Sequence, residues 1–305
     1  MIGVVGAGAF GTALAVSWAR AGREVAIWGR ALEPGARRSP RLDVEFPETL
    51  RAVPAEALKV ADLLVFAVPT QTLSGVLDAL PLPDTPAVAA CKGIDLRAGI
   101  GPTGLLARAG LSAHMLTGPS FAADIAAGLP TALTLAGSQA EALQPLLSTQ
   151  TLRLYASADT VGAELGGALK NVTAIGCGAV IGAGLGESAR AALLTRGHAE
   201  TVRLAMALGA DPRTLAGLSG LGDLCLTATS EGSRNYRYGL ALGRGEAFDG
   251  AITVEGAKTA PAAVALAAKH GVDMPVAAAI ADLTMGRVRI ADAMGALLSR
   301  PLTTE

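Results

Sequence analysis

Lysine is scarce in this 305-residue chain, standing only at positions 59, 92, 170, 258 and 269, against twenty arginines. Arginine stays charged at any accessible pH, whereas a desolvated lysine can give up its proton, so the positions that keep lysine are candidates for a titratable amine. Charge of either sign is thin, at 17% of residues, while 51% are hydrophobic, a balance that excludes a disordered chain. The net charge of −1 leaves no basic footprint for neutralising phosphates, which argues against a nucleic-acid partner and leaves a small molecule as the expected ligand. Cysteine is equally sparse. Cys91, Cys177 and Cys225 show no CxxC spacing, which excludes a disulfide frame and a zinc site, so no metal is expected. All three read as core residues with reduced thiols, in a cytoplasmic protein. No long uninterrupted apolar run is present either. Met1 to Ala19 is uncharged and its ALA at 13 to 15 imitates a processing site, but a positive leader is missing, four glycines break the run and amphipathic sequence follows directly. Neither export nor a membrane span is expected.

What is present begins with order. Ile2 to Val5 is a short β-branched run leading into GAGAFGTALA, Gly6 to Ala15, then an apolar helical pattern to Ala21, a stop at Gly22 and a second strand from Glu24 to Trp28. Strand, glycine turn, helix and strand within about 30 residues is the context that turns GxGxxG into a dinucleotide site. Further strands are expected at Leu63 to Val68, Ala87 to Cys91, His114 to Leu116, Thr131 to Leu135 and Leu152 to Tyr155. Their alternation with helical segments predicts an α/β fold, a doubly wound, mostly parallel Rossmann-type sheet over residues 1–158. From about Asp159 the strands stop. Ser188 to Leu208, Thr259 to His270 and Val276 to Met285 read as helices, so residues 159–305 form an all-helical second domain, expected to share a cleft with the first.

In the glycine loop, Gly6 permits the turn, Gly8 lets backbone approach a pyrophosphate and Gly11 packs helix on strand, with Ala9 and Phe10 over the cofactor. Where the fingerprint expects an acid for the ribose of NAD, Arg30 stands at the strand tip and suits a 2′-phosphate, so NADP(H) is accepted. Ligands of open α/β sheets collect beyond the carboxyl ends of strands. That rule singles out Ala67 to Pro69, Lys92 in CKG, and Gly118, Ser120 and Ala122 in TGPSFAADIAAG. Lys92 as a solvated loop residue and GPS as a plain turn remain the alternative. Lys170 and Asn171 fall on the first long helix after the sheet, among small residues (Gly166, Gly167, Ala174) that admit another backbone or a ligand. On spacing alone a helical lysine is more readily a solvated one. The segment from 218 to 239 pairs Asp223, in an apolar glycine turn, with Ser233, Arg234 and Asn235 at a helix start, a natural phosphate clamp whose bland alternative is a capped surface helix.

Taken together, GAGAFGTALA, CKGID, GPSFAADIAAGLPTA, GGALKNVTAIG, RAALLTRGHAE, GADPRTLAGLSGLGDLCLTATSEGSRNYRYG and VEGAKTA resemble the successive blocks of the bacterial NAD(P)-dependent glycerol-3-phosphate dehydrogenases, across nearly the whole chain. The resemblance implies a Rossmann-type domain followed by a helical domain of the 6-phosphogluconate-dehydrogenase-like kind, with NADPH or NADH as cofactor. It implies reduction of dihydroxyacetone phosphate to sn-glycerol 3-phosphate, the backbone of glycerophospholipids. Lys170 matches the family's catalytic lysine, Lys92 a second lysine near substrate and nicotinamide, and Asp223 the acid beside them. Gly118 and Ser120 match substrate contacts, and Ser233, Arg234 and Asn235 the phosphate site. Ala9, Phe10, Arg30, Ala122, Arg234, Thr253 and Glu255 match residues that reach the cofactor. The chain departs from the family between Ala31 and Leu58, where ALEPGARRSPRLDVEFPETL is shorter and richer in arginine, so the choice between NADH and NADPH stays open. So does assembly, a homodimer included. Two other readings compete: a ketopantoate-type or hydroxyacid reductase, which gives no reason for the phosphate clamp, and a non-catalytic dinucleotide sensor, which gives none for the lysines.

Overall fold

Four consecutive buried residues, Ile2–Val5, form strand β1 in the computed structural model, which describes residues 1–299. Burial on both faces is the signature of a central parallel strand, and β1 pairs in parallel with Val25–Trp28 (β2) on one side and Leu63–Phe66 (β6) on the other. Between β2 and β6 lie a two-stranded antiparallel ribbon, Arg38–Ser39 (β3) with Leu42–Glu45 (β4), and Leu50–Ala52 (β5), which adds to β2 in parallel. Ala87–Ala89 (β7), Ala113–Thr117 (β8), Thr131–Ala136 (β9) and Leu152–Ser157 (β10) complete an eight-stranded sheet of order β10-β9-β8-β7-β6-β1-β2-β5. Every pairing in it is parallel except β8 with β9, so the sheet is mostly parallel as expected.

Helix α1, Ala9–Arg20, starts on Gly8, and nine of its residues from Gly11 to Ala19 are buried. Its Trp18 indole donates to the Leu147 carbonyl at 2.8 Å, at the end of Ala140–Leu147 (α5), within a core that includes Leu14, Val16, Ile27 and Leu133. Thr70–Ala79 (α2) and Pro102–Arg108 (α3) belong to the second core, with Leu73, Leu77, Leu105 and Leu106 packed on Leu64, Phe66 and Met115. Ala122–Ala127 is α4.

Several expected strands are trimmed at their ends. Residues 67, 68, 90 and 91 lie past the strands, Pro69 removing a ladder donor, yet Ala67 and Ala90 each still donate one bond to a neighbouring strand. The chain divides into two compact units, residues 1–164 and 165–305, and the division falls inside the 23-residue helix Thr160–Gly182 (α6). By length and apolar composition α6 could cross a membrane, but 89% of its apolar window is buried in the protein.

The second unit is helical throughout its described residues: α7 (Glu187–Ala207), α8 (Pro212–Ala216), α9 (Asp223–Ala228), α10 (Arg234–Arg244), α11 (Glu255–Lys269), α12 (Pro275–Thr284) and α13 (Ile290–Leu298). Two glycines near the end of α6 admit the backbone of α10. A Cβ on Gly178 would stand 2.1 Å from the Tyr236 carbonyl oxygen and one on Gly182 2.3 Å from that of Leu240, while on α10 Gly239 and Gly243 face the Ile175 and Ala179 carbonyls at 2.0 and 2.2 Å. Cys225 corrects the expectation of three core cysteines. On α9, residues 223, 224, 227 and 228 are buried on one side, which turns Cys225 outward, whereas Cys91 and Cys177 are buried.

Candidate active site

The first unit holds a glycine cradle at the carboxyl end of β1, where the chain order turns from β2 and β5 on one side to β6 and β7 on the other. Gly6 adopts φ +117°, and a Cβ there would meet the Ala67 carbonyl at 2.5 Å. A Cβ on Gly11 would strike the Gly6 carbonyl at 2.1 Å, so α1 is seated directly on the strand end. Gly8, the residue before α1, has nothing within 4 Å of its Cβ position. A tight turn, a close helix and an open approach to the first N–H groups of α1 are what a pyrophosphate requires, so these residues fit a dinucleotide. Ala9 and Phe10 open α1 and are half-buried, and Arg30 lies exposed just beyond β2.

The three other loops singled out follow β6, β7 and β8, which run parallel, so they leave the sheet at the same edge. Lys92 is half-buried in the loop after β7. That loop is braced by Gln71 of α2, whose amide donates to the Ile94 carbonyl at 2.7 Å and accepts from the Leu96 N–H at 3.1 Å. Asp95, buried, accepts from the N–H groups of Arg97 and Ala98 and closes the turn. After β8, Gly118 takes φ +142°, Ser120 donates weakly to its carbonyl at 3.4 Å, and Ala122 is the first residue of α4.

The second unit contains a buried ion pair. Lys170, on α6 and 8% exposed, directs its Nζ to Asp223 Oδ1 at 2.6 Å and to Thr227 Oγ1 at 2.7 Å. Asp223 is 0% exposed, and Thr227 is within 3.3 Å of the same Oδ1. A π-helical turn, Leu218–Gly222, delivers Asp223 to this place, and a Cβ on Gly166 of α6 would lie 2.5 Å from the Ser219 carbonyl of that turn. A small residue on α6 therefore brings the acid down to the lysine one turn away. Thr227 escaped the sequence reading. Its signal was the i, i+4 spacing from Asp223, which puts both on one helix face.

At the start of α10, Ser233 accepts from the Tyr236 N–H at 3.2 Å as a helix cap, and Asn235 Oδ1 accepts from the Gly256 N–H at 2.9 Å. Both are buried, and Arg234 between them is exposed. Gly256 is itself pressed on α6, its Cβ position 2.5 Å from the Asn171 carbonyl, so Asn235 and Asn171 meet at the same glycine. Thr253 and Glu255, at the entry to α11, are in this same unit.

A family model for the N-terminus of NAD-dependent glycerol-3-phosphate dehydrogenase matches residues 1–143, and the model for its C-terminus matches residues 159–295. The chain belongs to this family. It is 59% identical over 312 residues to a glycerol-3-phosphate dehydrogenase [NAD(P)+] of Cereibacter sphaeroides, covering all of both chains, and 53% identical to that of Paracoccus denitrificans, covering 100% and 99%. Among solved structures, glycerol-3-phosphate dehydrogenase from Coxiella burnetii is similar with a TM-score of 0.91 at 35% identity, covering 98% of each chain. Both halves of this dehydrogenase family are thus present, in the family's order.

Proposed function

We propose that the chain reduces dihydroxyacetone phosphate to sn-glycerol 3-phosphate with NAD(P)H, and that Lys170 exchanges the proton with the C2 oxygen. The nicotinamide, when bound, supplies the hydride, and Gly6, Gly8, Ala9, Phe10, Gly11 and Arg30 would hold the dinucleotide, with Ala122, Thr253 and Glu255 as further contacts. The observation that carries the reading is the buried Lys170–Asp223–Thr227 cluster. Two hydrogen bonds fix the direction of the amine, one to the Asp223 carboxyl oxygen and one to the Thr227 hydroxyl. Reduction draws a proton from that ammonium to the nascent alkoxide, and oxidation returns it to the neutral amine. An arginine in its place would hold the charge without the titration.

Lys92 acts on the same carbonyl as an electrostatic partner, with Gly118 and Ser120 as substrate contacts. The phosphate is held by Arg234, whose guanidinium offers paired donors to an oxyanion. Ser233 donates its O–H and Asn235 its amide N–H groups to the phosphate, their oxygens being engaged as acceptors from the Tyr236 and Gly256 N–H groups. The phosphate lies away from the reacting carbon, so its binding energy serves to place the substrate. The product is the backbone used in glycerophospholipid synthesis. Loss of absorbance at 340 nm on adding dihydroxyacetone phosphate, run in parallel with NADH and NADPH, tests the reading. Turnover of the phosphorylated ketone but not of a 2-oxo acid supports it, and the reverse pattern favours a hydroxyacid reductase.

A further inference from the structure

The arginine-rich segment between β2 and β5 is the part of the chain that the reaction leaves unexplained. Its β3–β4 ribbon is tied to the dinucleotide cradle. Ser39, 6% exposed on a strand of two residues, donates its hydroxyl to the Ala7 carbonyl in the glycine loop at 3.1 Å. The same Oγ accepts the backbone N–H of Arg41 at 3.2 Å, which folds the Pro40–Arg41 tip back toward the loop. Ala7 is also where the end of β2 arrives, since a Cβ on Gly29 would stand 2.7 Å from that of Ala7. Arg30 and Arg41 are therefore each one or two residues from a group packed on Ala7, and both are exposed. Arg38 is turned to another use, its guanidinium bonded to Asp43 at 2.9 Å.

We propose that Arg41, held by Ser39 against the glycine loop, joins Arg30 in binding the ribose 2′-phosphate, so that this ribbon makes the enzyme select NADPH over NADH. The inference rests on the dehydrogenase reading. Two guanidinium groups brought to one dianion would suit the phosphate monoester, and the ribose hydroxyl of NADH offers them no such charge. The tip carries no acid: Asp43 is occupied by Arg38, and Glu33 and Glu45 are exposed at other positions of the segment.

Titration calorimetry of the full chain with 2′,5′-ADP and with 5′-AMP reads the 2′-phosphate contribution without turnover. The unsubstituted protein binds 2′,5′-ADP the more tightly. Arg41→Ala weakens 2′,5′-ADP by about tenfold or more, the effect of one charge-assisted pair, and 5′-AMP by less than about threefold. Ser39→Ala, which frees the tip, shifts the same ratio in the same direction by a smaller factor, and Arg38→Ala leaves the ratio where it was. Equal affinities of the unsubstituted protein for the two nucleotides would overturn the proposal, as would an Arg41→Ala protein that loses both equally or neither. The dehydrogenase reading is tested apart from this. Turnover of dihydroxyacetone phosphate by the unsubstituted chain with NADH alone would keep that reading and discard the role of Arg41.

Discussion

At Lys170 a charge that water no longer solvates is retained because Asp223 and Thr227 stand in for the solvent. Such a pair is poor evidence of added stability, but removing one member strands the other, at a cost of about 3 to 5 kcal/mol. Lys170→Ala should therefore lower kcat by roughly 10² to 10⁴ and also lower the unfolding free energy in urea, because the buried Asp223 loses its counter-charge. Thr227→Val separates the two effects. It keeps the shape, removes one acceptor of the ammonium and one donor to Asp223, and should cost about 1 kcal/mol of stability and about tenfold in kcat with little change in KM. A Thr227→Val enzyme with unchanged kcat and a raised KM would show that the hydroxyl serves substrate binding rather than placement of the amine. The thiols sort by the same environmental logic. Burial pushes the Cys177 thiol up to about 12, while Cys225 is exposed, so iodoacetamide at pH 8 should label Cys225 in the native protein and leave Cys177 untouched until it unfolds. Peptide mass mapping reads the difference.

Elements in the second unit are locked by close approach and by one buried carboxylate. The crossing of α6 and α10 brings backbone onto backbone at four glycines, so a methyl group there has no side chain to displace. Gly239→Ala should cost about 1 to 3 kcal/mol, the range of an overpacked core, and the midpoint of urea unfolding measures it. Glu200 of α7, 2% exposed, accepts the N–H groups of Val276 and Ala277 at 2.7 and 3.0 Å, capping the first turn of α12. Burial raises its pKa above the ordinary 4.5, and those two N–H groups and Arg203 pull against the rise, with Asp273 adding to it. The folded protein therefore holds the proton more tightly than the unfolded chain does. This group's contribution is greatest below 4.5 and declines as pH climbs through the folded value. Glu200→Gln cannot titrate, so the stability difference between wild type and this variant should shrink, in the sense of wild type losing its advantage, as pH rises from 4.5. Denaturant unfolding at stepped pH values checks the slope, and a difference that grows with pH would contradict the assignment.

Across the whole molecule, what the sequence made legible was what burial writes into residue type. The strands β1, β6 and β7 are uninterrupted runs of apolar or small buried residues, and the glycine loop declares itself through its neighbours. The ribbon β3–β4 was hard to read because RSPRLDVE is short and charged, and its apolar alternation, Leu42 and Val44, spans too few residues to mark a strand. The reversal of β9 against β8 was hidden too, since a residue pattern carries no strand direction. In the second unit, Lys170 and Asp223 were named, but the third member of their cluster is a threonine of the kind that commonly faces its own helix backbone. Both tryptophans, Trp18 and Trp28, lie in the first unit, the one that carries the glycine cradle. Intrinsic fluorescence therefore follows the unfolding of that unit. An NADP⁺ that binds the native cradle and not the unfolded chain should, at a hundred times its Kd, stabilise this unit by about 2.7 kcal/mol and raise the fluorescence midpoint by roughly 5 to 11 °C. The shift should grow with the logarithm of nucleotide concentration. A midpoint unmoved by saturating NADP⁺ would mean that the open approach at Gly8 does not receive a dinucleotide, and with it the hydride donor would have no place in this chain.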